Sequence, residues 1–191
     1  MLRSSDIAII IALPMETQGL FEHLPVHYCG IGKINAAHKT TEVILKTNCR
    51  HILNLGTAGS HRFHTHSLVE CSSLVQRDMD LSPLGFPLGD TPMDEVKGKI
   101  SLPRLCQDLP HGTCGTGDRF EVGPPQLDCD MVDMEAYAIA KVCQKMKVNF
   151  SGFKYITDGS DHQAHEDWYK NLKPGAERLL QLFESLVRHE P

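Results

Sequence analysis

Residues 133–161 read DMEAYAIAKVCQKMKVNFSGFKYITDGSD. Apolar residues recur here first with helical spacing and then as a nearly continuous run, which predicts a helix over 132–147 and a strand over 150–157 that ends at Asp158. An α/β unit folds back on itself. An acid near the start of the helix, Glu135, can therefore lie close in space to the acid that ends the strand. We expect two carboxyl groups to face one pocket.

The composition is that of one globular domain. The chain has 191 residues, 41% of them hydrophobic and 23% charged, which suits a single buried core over residues 1–191. The net charge is −5 and the lysines and arginines are not clustered, so nucleic acid is not an expected partner. The apolar run 7–13 is too short to span a bilayer and no signal-peptide cleavage pattern follows it, so we expect no membrane segment.

The seven cysteines are scattered, odd in number and never at C-x-x-C spacing. This pattern argues against a disulfide framework and against a structural zinc site. We therefore expect reduced thiols in a cytoplasmic protein.

Strand and helix patterns alternate along the whole chain. The predicted strands before residue 132 cover 7–13, 26–29, 51–55, 67–75, 99–102 and 111–116. A short helix or helical turn is predicted over 16–23, and further helices over 36–47 and 165–187, the last interrupted near 173–175. This order predicts an α/β fold, a three-layer α/β/α sandwich with a central mixed, mostly parallel sheet. Residues 76–98 form a long Pro/Gly/Asp-rich excursion, typical of a lid, an interface segment or a mobile region.

Glu16 follows the first predicted strand. In open α/β sheets, ligands bind at the carboxyl ends of the strands, so Glu16 is a candidate site residue. It is equally a candidate for an acid that begins a helix and is stabilised by the helix dipole. The glycine turn at 30–37 lacks both the third glycine of a dinucleotide fingerprint and the ending of a P-loop, so close packing of helix on sheet is the better interpretation there.

Two further segments have both a functional and a structural interpretation. The small-residue segment 56–60 leaves backbone N–H groups free for a ligand and adds the Thr57 hydroxyl, or it is an ordinary tight turn. Phe120 follows the strand over 111–116, where an aromatic ring can stack on a planar ligand, or it belongs to the core.

Two groups of polar side chains raise the question of a metal site. His61, His64 and His66 lie close together, but no thiol or carboxylate is spaced to complete a site. A second group follows the last predicted strand and invites a metal-hydrolase hypothesis, although the start of a helix explains it better. Its members are Asp158, Asp161, His162, His165 and Asp167. We expect no metal.

Six segments in order along the chain resemble the purine nucleoside phosphorylase superfamily, and within it the 5′-methylthioadenosine/S-adenosylhomocysteine nucleosidases. The six are IIIALPME (9–16), GIGKINAA (30–37), NLGTAG (54–59), TGDRF (116–120), VDMEAYAIA (132–140) and ITD (156–158). Six collinear motifs are far harder to obtain by chance than one.

The resemblance implies a role for each matching residue. Glu16 matches the acid that activates the attacking water, and Asp158 the acid that protonates the purine as the glycosidic bond breaks. Glu135 matches the carboxylate that holds the ribose hydroxyls, with Met134 beside the sugar. We expect Glu135 to be anionic, because the helix dipole favours a negative charge there.

The resemblance also implies the remaining substrate contacts and the partners. Phe120 stacks on the base and the Glu121 backbone reads the base edge. The ribose and base region is lined by Thr57, Ala58 and Gly59, and Leu13 also contacts the substrate. The implied substrate is a purine nucleoside that carries a 5′-thio group, no cofactor is needed, and the protein is a homodimer in which residues 81–88 are an interface or a lid. The chain is shorter than typical members, apparently between about 75 and 110.

Two alternatives stay open. The superfamily also contains phosphorylases, which need arginines around phosphate. No arginine lies between Glu16 and Arg50, which favours hydrolysis, but Arg62, Arg77 and Arg119 leave phosphorolysis open. The shortened middle leaves room for a nucleoside-binding protein that has kept the fold and lost the reaction.

Overall fold

The computed structural model describes residues 2–96 and 98–188, and only the backbone at 188. The strands are β1 Leu2–Arg3, β2 Ile7–Ile11, β3 Val26–Tyr28, β4 His51–Gly59, β5 Leu68–Gln76, β6 Ile100–Ser101, β7 His111–Thr116, β8 Met131–Asp133, β9 Asn149–Asp158 and β10 Val187–Arg188. The α-helices are α1 Lys33–Thr47, α2 Ala136–Met146 and α3 Ala164–Leu186, and short 3₁₀ turns span Ser4–Asp6, Pro14–Glu16 and Ser82–Leu84.

The central sheet has eight strands and is mixed but mostly parallel. β2 lies between β3 and β4, and β4 pairs along its whole length with β9, all in parallel. β9 then pairs antiparallel with β5, which pairs in parallel with β7, and β7 pairs in parallel with β8. β6 is a short antiparallel strand beside β5, and β8 meets the end of β4 at a single pair, Gly59 and Val132.

Alternate residues of the central strands face two separate helical layers. In β2, Ala8 and Ile10 belong to the apolar cluster that includes α1 and α2, whereas Ile7, Ile9 and Ile11 belong to the cluster that includes the C-terminal half of α3. This period of two is what a strand covered on both faces requires. The predicted three-layer α/β/α sandwich is confirmed.

Two predicted boundaries are wrong at the edges of the site. The predicted loop after residue 55 is strand as far as Gly59, because β9 runs beside it and pairs up to Asp158 across a bulge. The helix predicted from 132 begins at Ala136, because Met131–Asp133 pairs with β7 as strand β8. In both places non-local pairing overrides the local sequence signal.

Two other predicted helical segments can be compared with the structure. Of the two alternatives for 16–23, the turn is the one observed, since the 3₁₀ turn Pro14–Glu16 is followed by further turns and not by an α-helix. The predicted interruption of the last helix is absent, since α3 continues through Pro174 to Leu186. The packing of its apolar face on β4 and β9 holds it together there.

The single-domain prediction includes residues 1, 97 and 189–191, which lie outside the described part of the chain. The domain extent and the shortening between about 75 and 110 stay predictions. The predicted irregular excursion after residue 76 is confirmed for its described residues, which contain one 3₁₀ turn and otherwise only turns and bends. Within 2–96 and 98–188, no helix combines the length and the apolar character needed to cross a membrane. All seven cysteines, each within the described chain, are free thiols, and six are buried.

Candidate active site

A cavity of about 240 Å³ opens where β2, β4, β8 and β9 end. This is the carboxyl edge of the parallel strands, where α/β sheets bind ligands. All the residues that the sequence analysis selected lie around it, namely Leu13, Glu16, Thr57, Ala58, Gly59, Phe120, Glu121, Met134, Glu135 and Asp158. The lining is mainly apolar, and a few polar groups converge in it, which is typical of a small-molecule site.

Glu16 is 5% exposed and its carboxylate is held by three hydrogen bonds. The Leu13 N–H donates to Oε2 at 3.0 Å, and the Thr57 N–H and hydroxyl both donate to Oε1 at 2.9 Å. The bond from Leu13 closes the 3₁₀ turn at Pro14–Glu16. Glu16 therefore completes a short turn and does not begin an α-helix, and its carboxylate lines the pocket.

Trp168 is a pocket residue that the sequence analysis missed. It lies on α3, and its indole N–H donates to Thr57 Oγ1 at 2.9 Å. It is the only tryptophan in the chain, and it follows the terminal acid of β9 by ten residues. The sequence offered one sign of this role, a large aromatic residue soon after the candidate acid Asp158. The helical pattern of the segment does not show that the ring lies against β4.

Asp158 is buried at the end of β9. Its carboxyl accepts bonds from the Thr157 hydroxyl at 2.8 Å and from the Ser160 N–H at 2.9 Å. Burial raises the pKa of Asp158 above its ordinary value, and the charges of Asp161 and Asp167 add to this, so together they outweigh the two hydrogen bonds. The direction is that expected of a group that has to carry a proton.

Gly59 lets the ends of β4 and β9 approach each other. A Cβ at this position would lie 2.6 Å from Asp158 Oδ1 and 2.4 Å from Ser160 Oγ. Ser160 has a positive φ of 52°, unusual for a residue other than glycine, and its buried hydroxyl has no protein partner. Because Gly59 has no side chain, there is room for the Asp158 carboxyl at this place in the pocket wall.

Glu135 lies just before α2, and its Oε1 accepts a bond from the Gly32 N–H at 2.9 Å. Burial raises the pKa of Glu135 to about 8, with the negative charges of Asp133 and Glu16 adding to the effect and Lys154 opposing it. This direction is opposite to the helix-dipole effect that we expected to favour the anion. Before a ligand binds, Glu135 can therefore donate a hydrogen bond as well as accept one.

A buried ion pair lies beneath these acids. Lys154 Nζ is 2.8 Å from Asp133 Oδ2, and both side chains are almost fully buried. Burial alone would raise the pKa of Asp133, but the Lys154 charge and the Thr116 hydroxyl bond lower it. Asp133 also accepts a bond from the Ala136 N–H at 2.9 Å. The pair thus ties β8 to β9 and to the first turn of α2.

The side of the pocket that follows β7 carries an aromatic ring and a buried arginine network. Phe120 is 54% exposed and lines the pocket, so it is not a core residue. Arg77 donates from Nε to the Gly115 carbonyl at 3.2 Å and also pairs with the Glu121 carboxylate. Arg119 pairs with the same carboxylate at 3.0 Å. The Glu121 carboxylate thus pairs with two arginines, so a ligand in the pocket would meet the backbone of Glu121 and not its side chain.

The three arginines that left phosphorolysis open as an alternative, Arg62, Arg77 and Arg119, differ in their partners and in whether they line the pocket. The Arg77 guanidinium is taken up by Glu121 and by the carbonyls of Gly115, Gly117 and Arg119. Arg62 pairs with Asp128 and Asp130 and does not line the pocket. Only Arg119 lines the pocket with a largely exposed side chain.

The three histidines that raised the question of a metal site, His61, His64 and His66, do not meet at one point. His66 Nδ1 lies 2.7 Å from the Tyr155 hydroxyl, and none of His61, His64 and His66 lines the pocket. His165 does line it, with its ring edge-on to Tyr169. In the part of the chain that the structure describes, no three His, Cys, Asp or Glu side chains are grouped so as to hold a metal ion.

Comparison with protein families gives one match that covers most of the chain. The profile of the Phosphorylase superfamily matches residues 17–188. The matched region begins immediately after Glu16 and includes the segments that supply the other pocket acids.

Two curated relatives have similar sequences. A 5′-methylthioadenosine/S-adenosylhomocysteine nucleosidase of Marinomonas sp. is 26% identical over 180 residues, covering 83% of this chain and 78% of the relative. An aminodeoxyfutalosine nucleosidase of Helicobacter pylori is 29% identical over 181 residues, covering 85% and 78%.

Solved structures share the fold. The Helicobacter pylori 5′-methylthioadenosine/S-adenosylhomocysteine nucleosidase in complex with a pyrrolidinol ligand superposes with a TM-score of 0.86 at 23% identity, over 97% of this chain and 98% of that one. The corresponding enzyme of S. pneumoniae with a transition-state inhibitor gives 0.78 at 20% identity, over 93% and 96%. At these identities the likeness establishes the fold alone.

Proposed function

Because this chain belongs to the phosphorylase superfamily, we propose that its pocket hydrolyses the N-glycosidic bond of purine nucleosides, with 5′-methylthioadenosine and S-adenosylhomocysteine as substrates and adenine as the released base. One observation carries the proposal: Glu16, Glu135 and Asp158 face the same cavity from three different elements. The similarity to nucleosidases of two kinds supports it.

Asp158 is the general acid in this reaction. Breaking the bond between C1′ and the purine nitrogen leaves the electron pair on the base and an oxocarbenium-like sugar. The Asp158 proton passes to a ring nitrogen of the purine and neutralises the leaving group. The raised pKa of Asp158 keeps that proton available.

Glu16 is the general base. A water molecule beside it attacks C1′ as its proton passes to the Glu16 carboxylate, so that the products are the free base and the free sugar. The bonds from Leu13 and Thr57 hold the carboxylate still, which keeps the water at the sugar face. The proposed reaction needs no cofactor.

Glu135 and the apolar lining hold the substrate. Glu135 bonds the ribose hydroxyls, with Met134 against the sugar, and Leu13 also contacts the substrate. Phe120 stacks on the base, as its exposed ring at the pocket edge supports. Ala58 presents only a methyl group to the ribose and base, and Gly59 has no side chain, so the backbone can approach the substrate closely.

The pocket favours water over phosphate as the attacking group. The Arg77 guanidinium has its donors bound to protein oxygens, and Arg62 is directed to surface aspartates. A phosphate ion would thus find one arginine, Arg119, which Glu121 already neutralises in part. Phosphorolysis needs more donors than this.

A third candidate substrate is aminodeoxyfutalosine, suggested by the relative that is 29% identical. It would undergo the same reaction and differ from the first two substrates at the 5′ substituent. The choice among them lies in the part of the pocket that receives this substituent.

The test is incubation of the purified protein with a nucleoside panel, with and without phosphate, followed by chromatography of the bases. We expect adenine release that is independent of phosphate, and we expect Asp158→Asn to lower it by about 100-fold or more. Asp108→Asn, an exposed acid outside the pocket, is the control and should retain the wild-type rate.

Three outcomes would contradict the proposal. A strict requirement for phosphate would indicate a phosphorylase. Thermal stabilisation by nucleosides without turnover would indicate a binding protein. Near-normal adenine release by Asp158→Asn would remove Asp158 from the role of acid.

We also propose a homodimer in the cytoplasm. Residues 81–88 present exposed apolar side chains, with Leu84 71% and Phe86 38% exposed, and such patches mark contact surfaces. The seven free thiols fit a reducing compartment.

A further inference from the structure

We propose that Trp168 is a positioning residue for Glu16, acting through the Thr57 hydroxyl, and that this relay leaves Glu16 Oε2 as the oxygen that receives the proton of the attacking water. The inference rests on the proposed hydrolysis for its kinetic consequence. The relay itself is a chain of two hydrogen bonds, from indole to hydroxyl and from hydroxyl to carboxylate, each 2.9 Å long.

The direction of the proton in each bond follows from the groups involved. An indole N–H can only donate, and an ionised carboxylate can only accept. The Thr57 hydroxyl therefore accepts from Trp168, and its own proton points at Glu16. Without the indole, the hydroxyl has an unused acceptor site and can rotate to other partners.

The relay distinguishes the two oxygens of Glu16. Oε1 accepts two bonds, from the Thr57 N–H and hydroxyl, which is the usual capacity of a carboxylate oxygen. Oε2 accepts one bond, from the Leu13 N–H. One acceptor site thus remains on Oε2, where a water that faces the sugar can donate.

The position of the indole is fixed by its own helix. Trp168 lies on the second turn of α3, and its ring packs edge-on against Tyr169 at 4.8 Å between ring centroids. Tyr169 in turn packs against His165 at 5.0 Å. A shift of α3 would therefore move the indole, and through Thr57 it would loosen Glu16.

The kinetic test uses a double-mutant cycle of Trp168→Phe and Thr57→Val. Phe keeps a ring on the pocket wall and removes the N–H, and Val keeps the β-branched shape that a strand prefers and removes the hydroxyl. We expect Trp168→Phe to lower kcat by roughly threefold to tenfold with KM within about twofold. The double variant should be no slower than Thr57→Val, because the indole acts only through the hydroxyl.

The spectroscopic test does not depend on activity. Since Trp168 is the only tryptophan, the protein's indole fluorescence comes from this one ring and responds to changes in its surroundings, including the loss of its hydrogen bond. Thr57→Val should shift the emission maximum to shorter wavelength, and Thr57→Ser, which keeps the hydroxyl, should restore both the wild-type emission and the wild-type kcat. Lys173→Gln, at an exposed position on the same helix, is the control and should change neither.

The outcomes separate this proposal from the proposed function. If no nucleoside is cleaved by the wild type, the function fails while the emission shift still tests the relay. If the wild type cleaves nucleosides but Trp168→Phe raises KM and leaves kcat unchanged, Trp168 is only a wall of the pocket. Additive losses in the cycle, or an unchanged emission maximum in Thr57→Val, would also overturn the relay.

Discussion

The acids of the pocket differ in their surroundings, and these differences suit them to different tasks. Within the described chain Asp158 has no ion-pair partner, and burial raises its pKa. Asp133 is paired with Lys154, which lowers its pKa. Glu135 is near Lys154 but also near Asp133 and Glu16, and burial raises its pKa to about 8. Separation of pKa values by environment is the general way in which one site provides both acids and bases at neutral pH.

The raised pKa of Glu135 predicts a pH-dependent cost to stability. The folded protein holds this proton up to a pKa of about 8, whereas the ordinary value is 4.5. Between these values the folded state binds more protons than the unfolded state, so the free energy of unfolding falls as the pH rises. Glu135→Gln keeps an oxygen for the Gly32 N–H and has no proton to lose. The free energy of unfolding of this variant should exceed that of the wild type by roughly 1–3 kcal/mol at pH 8 and by much less at pH 5.

Urea denaturation of both proteins at the two pH values measures this difference. The raised pKa of Asp158 also makes the free energy of unfolding fall as the pH rises. This contribution is the same in variant and wild type, so it cancels in their difference. Glu177→Gln, an exposed acid on α3, serves as the control. A stability gain that is equal at pH 5 and pH 8 would show that Glu135 is ionised in the folded protein throughout.

At the scale of elements, α3 shows a local preference that is overridden by packing. Gly175 lies within the helix, where replacement of glycine by alanine usually gains about 1 kcal/mol. Here a Cβ would lie 2.8 Å from the buried Tyr155 ring, and the Tyr155 hydroxyl is bonded to His66. Overpacking of this kind costs about 1–3 kcal/mol. We expect Gly175→Ala to destabilise the protein by about 1–2 kcal/mol.

Thermal or urea unfolding of Gly175→Ala in two backgrounds checks the cause. In Tyr155→Leu, which removes the ring that the new methyl group would meet, the same change should instead be stabilising. If Gly175→Ala destabilises both backgrounds equally, the contact with Tyr155 is not the reason.

The elements also show where the sequence was informative. β7 has the predicted bounds, His111–Thr116, because its signal is local and its ends are marked by turn residues. β4 is longer than predicted because Gly56, Ala58 and Gly59 resemble a turn until β9 pairs beside them. The last two residues of β8, Val132 and Asp133, fall in the predicted helix because a strand of three residues is too short to show a period of two, and only pairing with β7 makes the segment a strand.

At the scale of the whole molecule, the layer order followed from the alternation of strands and helices. Glu16 and Asp158 were candidates because they follow strands, and Glu135 because it lies near the start of a helix. Trp168 could not be predicted, because its contact with Thr57 joins residues 111 positions apart. The same holds for the pair of Lys154 and Asp133. A buried lysine in a strand gives no local sign of its partner.

The proposed homodimer can be measured directly. Light scattering of the purified protein should give twice the mass of one chain. The double variant Leu84→Asp, Phe86→Asp should have a lower measured mass, because charges in an apolar contact are costly. Leu45→Asp is a matched control, since Leu45 is 70% exposed on α1 and lies outside residues 81–88. A monomeric wild type would remove the dimer from the proposal.

The buried thiols have a consequence for the protein's chemistry under oxidising conditions. Burial raises the pKa of Cys29 to about 12 and that of Cys129 to about 11, and it also raises the pKa of the partly exposed Cys106. The thiolate is the form that reacts with peroxides and alkylating reagents, and at neutral pH almost none of it is present at these positions. None of the seven cysteines lines the pocket. The chain is thus rich in sulfur yet poorly suited to redox control, and its turnover should not depend on added reductant.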